Sequence, residues 1–188
     1  MNSEKREDTR IIQGICFEQD VAIVGNAQSL LDRNLGDEID SHDIVVRLNK
    51  GVTIEKNGHK CDIHCASGRE GIVDPQDFKT EIPQISFWMT PKYREMAPSH
   101  FYLFPEMSWR NLKMRALPGG ADRPTTGLMA IYMILQTGAA NINLYGFDFW
   151  QTKTFYLDRR GSRPAHNPAK ERDFVDELIR GDSRLRLI

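Results

Sequence analysis

Short apolar runs, each closed by turn residues, recur along the chain and set its pattern. Val21–Val24 (VAIV) stops at Gly25-Asn26 and is followed by the amphipathic stretch AQSLLDRNL. That order predicts a buried strand, a tight turn and a helix. Asp43–Leu48, Cys61–Ala66, Gln84–Met89, Ser99–Phe104 and Asn141–Phe147 repeat the strand signature. Thr126–Thr137 is apolar on every side, which predicts a helix buried within the fold and stopped by Gly138. Pro168–Arg180 predicts a last helix with Phe174, Val175, Leu178 and Ile179 on one face. Strands alternating with helices imply a three-layer α/β/α, Rossmann-like single domain with a mainly parallel sheet. The domain is expected over residues 11–188, and the polar residues 1–10 are expected to be disordered. In such sheets ligands bind beyond the carboxyl ends of the strands, so chemistry-bearing residues are sought at strand exits.

Composition narrows the classes without naming one. Lys plus Arg (25) almost cancels Asp plus Glu (26), which leaves no positive excess for nucleic acid. The start MNSEKREDTR is charged throughout, and the longest apolar run, Leu128–Leu135, is far short of the ~20 residues that span a bilayer. A signal peptide and a transmembrane segment are therefore not expected, and peripheral membrane contact is left open. Cys16, Cys61 and Cys65 read as reduced thiols of a cytoplasmic protein. Cys61, Cys65, His59 and His64 have the makings of half a zinc site, but no second pair follows at zinc spacing. No metal is expected.

Four clusters stand at strand exits or helix starts. Gly25-Asn26-Ala27 follows the first strand, where a tight turn and a helix start favour an anion and Asn26 offers a donor and an acceptor. Turn chemistry alone also accounts for an asparagine there. Arg47-Leu48-Asn49 ends the second strand and projects Asn49 from the same sheet edge, as a ligand or a loop cap. Thr125-Thr126-Gly127 opens the buried helix, either as an anion cradle or as an ordinary N-cap. His166 stands just before the last helix, whose Asn167 cap and Pro168 start are well defined, with Glu171 one turn in. The positive end of that helix disfavours imidazolium, so a neutral, proton-accepting ring is expected; a surface residue is the plain alternative. No Asp-x-Asp, Walker loop, G-x-G-x-x-G or G-x-S-x-G occurs.

In this order the clusters resemble a known family. VAIVGNAQSL…GDEIDSHDIVVRLNKG resembles the large sialylmotif of the eukaryotic-type sialyltransferases, glycosyltransferase family 29. RPTTGLMAIYMILQTGAANINLYGFDFW resembles their small sialylmotif, and HNPAKE fits their H-x-x-x-x-E motif. The small-motif segment, with GFDFW and the tyrosine loop after it, is also similar to bacterial sialyltransferases of family 42. The resemblance implies a sialyltransferase-type variant of the GT-A fold. It places Asn26, Ala27, Asn49, Thr125, Thr126, Gly127 and Phe147 at the cytidine nucleotide of the donor. Tyr156 would hold the donor phosphate, and His166 would be the general base.

Three departures accompany it. Phe155-Tyr156 stands where the family's third motif has His-Tyr. Val21 and Ala139 stand where animal enzymes have a bridging cysteine pair. The chain is also short, so a trimmed acceptor-binding lobe is expected. The implied activity is inverting, metal-independent transfer of sialic acid from CMP-sialic acid to a glycan hydroxyl, with no cofactor. Another CMP-activated sugar, such as CMP-3-deoxy-octulosonate, and a non-catalytic CMP-binding module remain alternatives. The partners implied are a CMP-sugar donor and a glycan acceptor.

Overall fold

The computed structural model describes residues 9–51, 55–68, 71–73, 83–156 and 165–188. The expectation for residues 1–8 and the end of the tyrosine loop lie outside the described residues. The elements run α1 (Arg10–Cys16), β1 (Asp20–Val24), α2 (Gln28–Leu31), α3 (Gly36–Asp40), β2 (Ile44–Leu48), β3 (Ile63–Ala66), β4 (Ile85–Trp88) and β5 (Tyr102–Leu103). They continue with α4 (Glu106–Ala116), α5 (Thr126–Leu135), β6 (Asn141–Tyr145), α6 (Pro168–Gly181) and β7 (Leu185–Leu187).

The described strands form one sheet in the order β5-β4-β3-β2-β1-β6-β7, with every neighbouring pair parallel. A parallel strand is covered on both faces, which is why these runs are continuously apolar rather than alternating. Val21, Ile23, Val46, Leu48, Ile63, Ile142 and Leu144 bury one face beneath α1, α4, α5 and α6. Ala22, Val24, Val45 and Tyr145 bury the other against Leu30 of α2 and Ile39 of α3. The three layers expected from the sequence are thus present. Several elements are shorter than their apolar runs: β5 keeps two residues of Ser99–Phe104, β3 four of Cys61–Ala66, β4 four of Gln84–Met89 and β6 five of Asn141–Phe147, and α5 ends at Leu135 rather than Thr137. Thr137 instead folds its hydroxyl back onto the Ile134 carbonyl (2.7 Å), closing the helix end.

The chain builds outward from β1 to β5, then returns through α4 and α5 to place β6 on the other side of β1. The strand order therefore reverses between β1 and β6, and a crevice opens beyond their carboxyl ends. The two strand exits approach closely there. A Cβ on Gly25 would stand 2.4 Å from the carbonyl oxygen of Gly146, and Gly146 itself has φ +67°. Only glycine fits both positions.

Candidate active site

Asn26 leaves β1 at this crevice and is held from two sides. Its Nδ2 donates to the Leu48 carbonyl (2.9 Å) at the end of β2, and it lies 3.4 Å from the Tyr156 hydroxyl. Gly51 closes the pocket around it, since a Cβ there would come within 1.9 Å of Asn26 Oδ1. The segment 152–156 lies along the start of α2. Gln28 N–H donates to the Lys153 carbonyl (2.8 Å), Phe155 N–H donates to the Asn26 carbonyl (3.0 Å), and Ala27 bridges Thr154. That pairing brings Tyr156 to Asn26 across a sequence gap of 130 residues.

Asn49 leaves β2 with φ +50°, a left-handed conformation that asparagine tolerates better than most residues. Its Oδ1 accepts from Ser67 N–H (2.9 Å) at the end of β3, with the Thr126 hydroxyl at 3.4 Å. Thr126 in turn donates to the Ser67 hydroxyl (2.8 Å). His64 on β3 donates its Nε2–H to the Asn49 carbonyl (2.8 Å), and burial lowers its pKa from the usual histidine value. The neutral ring thus fixes Asn49 from behind. Phe147 leaves β6 with its ring over the start of α5, where Gly127 leaves it room.

At the start of α5 the structure answers a question that the sequence left open. Thr125 is the N-cap, its hydroxyl accepting from Leu128 N–H (3.1 Å). Its own N–H and hydroxyl both donate to the Glu171 carboxylate of α6, at 2.8 and 2.6 Å. The acceptor at this helix terminus is therefore a side-chain carboxyl of the protein. Glu171 is 3% exposed, and desolvation lifts its carboxyl to about 7 against the two Thr125 bonds, which pull the other way.

This clamp also sets the base of α6. Asn167 caps the helix by accepting from Lys170 N–H (3.2 Å), and Pro168 occupies its first turn. His166, one residue earlier, donates Nδ1–H to the Arg123 carbonyl (2.7 Å). With Nδ1 donating, the neutral tautomer of an imidazole carries its lone pair on Nε2. The residues thus form two connected groups: Asn26, Tyr156 and Asn49 with Thr126 on the sheet edge, and His166 tied to the α5 start through Arg123 and Glu171.

Cys61 and Cys65 are buried, and desolvation pushes the Cys61 thiol up to about 12. Among the described residues no three His, Cys, Asp or Glu side chains are grouped to hold a metal ion. Among the same residues no helix is long and apolar enough to cross a membrane. The Thr126–Ser67 and Thr125–Glu171 pairings were not foreseen from sequence, since each joins residues more than forty positions apart.

Over residues 18–72 the chain matches the model of glycosyltransferase family 29 (sialyltransferase). It is 34% identical over 70 residues to the mouse CMP-N-acetylneuraminate-beta-galactosamide-alpha-2,3-sialyltransferase 1, covering 37% of this chain and 20% of that protein. It is 29% identical over 160 residues to the mouse beta-galactoside alpha-2,6-sialyltransferase 1, covering 67% of this chain and 40% of that protein. The matched segments thus span less than half the length of either relative. Among solved structures, a mammalian sialyltransferase aligns with TM-score 0.65 and 20% identity, over 90% of this chain and 68% of the other. The sialyltransferase CST-II in complex with CMP aligns with TM-score 0.64 and 13% identity, over 89% and 81%. The sialyltransferase resemblance read from the sequence therefore holds in family model, in sequence and in fold.

Proposed function

We propose that this relative of the sialyltransferases transfers sialic acid from CMP-sialic acid to a hydroxyl of a glycan acceptor, with inversion and without a metal. The observation that carries the reading is the meeting of Asn26, Asn49, Thr126 and Tyr156 at the crevice where the strand order reverses. Two neutral amides and two hydroxyls there suit a nucleotide carrying a single phosphate, and a comparison structure of the same fold is a complex with CMP. The absence of Asp-x-Asp from the sequence fits a leaving group that needs no divalent ion.

In this reading the acceptor oxygen attacks the anomeric carbon as His166 Nε2 takes its proton. The bond from that carbon to the phosphate oxygen breaks, and CMP leaves with the electron pair. Tyr156 donates to the departing phosphate, where charge grows in the transition state. Asn26, Ala27 and Asn49 hold the cytidine side of the donor, while Thr126, Gly127 and Phe147 form its floor. Thr125 acts on the pocket through the α5 start rather than by its own hydroxyl, which Glu171 engages.

The test is transfer by the purified chain, in excess chelator, from CMP-sialic acid and from CMP-3-deoxy-octulosonate to galactoside acceptors. Sialylated product and free CMP in equal amounts are expected with the first donor. Turnover of the second alone would reassign the sugar, and CMP binding without turnover of either would leave a binding module.

A further inference from the structure

The loop that leaves β6 takes an uncommon path. Phe149 and Trp150 both hold left-handed backbone, with φ +52° and +63°, a conformation unfavourable to bulky residues. Such a pair persists only where the surroundings fix it, and Asp148 supplies the anchor. Its carboxylate accepts from Thr152 N–H (2.9 Å), from the Thr152 hydroxyl and from the Ser29 hydroxyl (3.2 Å). Ser29 N–H donates back to the Thr152 hydroxyl (3.3 Å), so the loop is stapled to the start of α2. The product of this construction is the placement of one side chain. The half-buried Trp150 indole lies stacked on the His166 imidazole, with ring centroids 6.0 Å apart and planes 19° from parallel.

A side-chain imidazole turns about its Cβ–Cγ bond. A flat partner on its face removes the turn. We propose that Trp150 is a positioning residue for His166: its indole fixes the imidazole plane while the Arg123 carbonyl fixes its Nδ1 edge, so that Nε2 points in one direction. The indole face also favours the imidazolium that forms when Nε2 takes a proton. The consequence for transfer rests on His166 being the base; the stack does not. Asp148 and Ser29 set the position of Trp150 and act through it.

The experiment compares the full chain with Trp150→Phe and Trp150→Leu. The charged groups on the flanking segments (Asp122, Arg123, Asp148, Lys153, Lys170 and Glu171) stay the same in every variant. Histidine ring signals are recorded by proton–carbon correlation, His166 being identified by its loss in His166→Ala, and steady-state transfer from CMP-sialic acid is measured alongside. Trp150→Leu is expected to move the His166 ring signals out of the indole's ring-current field. It is also expected to lower kcat by roughly ten- to a hundredfold with KM for the donor nearly unchanged. Trp150→Phe should restore most of the rate. Unmoved His166 signals in Trp150→Leu, or a loss carried by KM and not rescued by phenylalanine, would overturn the proposal. A parent chain without transfer defeats the functional reading instead, and the ring signals then still decide the stack.

Discussion

Asn26 and Asn49 are both held by the protein itself: Asn26 by the Leu48 carbonyl and the space Gly51 leaves, Asn49 by His64 and Ser67. Replacing either asparagine with alanine removes about 1–2 kcal/mol of hydrogen bonding, so each variant should bind CMP roughly tenfold more weakly by calorimetry. Unchanged affinity in both would move the donor pocket elsewhere. Gly51→Ala provides a sharper check, because the new methyl must displace Asn26 Oδ1. It should weaken CMP binding at least as much as Asn26→Ala while the fold, followed by circular dichroism, persists. At this scale the sequence was informative about which residues stand at strand exits, since a strand end is a local property. It was silent about Thr126 reaching Ser67, and about Glu171 reaching Thr125, because no local pattern predicts which side chains meet across forty residues or more.

Elements explain why one stretch of sequence is so specific. In IDSHDIVVRLNKG nearly every polar residue satisfies backbone around β2. Asp40 accepts from the amides of His59 and Lys60 (2.7 and 2.9 Å), and His42 binds the Glu38 and Ile39 carbonyls. Asp43 accepts from Asp20 N–H (3.0 Å), while buried Arg47 donates to the carbonyls of Lys60 and Asn57. The segment therefore holds β1 and β2 in register and delivers Asn49; most of it builds the sheet edge rather than touching a ligand. The same scale shows what periodicity misses. The helix α1 is only seven residues long, α4 has a weak apolar stripe, and β7 is a three-residue strand whose pairing with β6 depends on the whole sheet.

The α5–α6 clamp carries a pH signature. Burial raises the Glu171 carboxyl to about 7 from an ordinary 4.5, so the folded chain holds a proton there that the unfolded chain has released. The stability from this group is fully present below about pH 4.5 and is lost as pH rises through about 7. Glu171→Gln does not ionise. Urea unfolding at pH 5 and pH 8 should show a smaller stability difference in the variant, by on the order of 1–3 kcal/mol. An equal difference in both proteins would mean that Glu171 ionises alike in the folded and unfolded chain.

Across the whole molecule, function follows from where the sheet reverses. The chain spends β1 and β2 on one wall of the crevice and returns through α5 and β6 to make the other, so the residues proposed for the donor come from both halves. His166 arrives separately, on the C-terminal segment, fixed to the start of α5. That division makes binding and chemistry separable. On the proposed assignment, His166→Ala is expected to leave the sheet-edge residues in place and to remove the proton acceptor. The deciding measurement is the rate of sialyl transfer and the CMP dissociation constant of His166→Ala beside the parent. Transfer is expected to fall by roughly 10²- to 10⁴-fold with CMP affinity within about twofold. Full activity in the variant, or a parallel loss of affinity and rate, would contradict the assignment of His166 as the base.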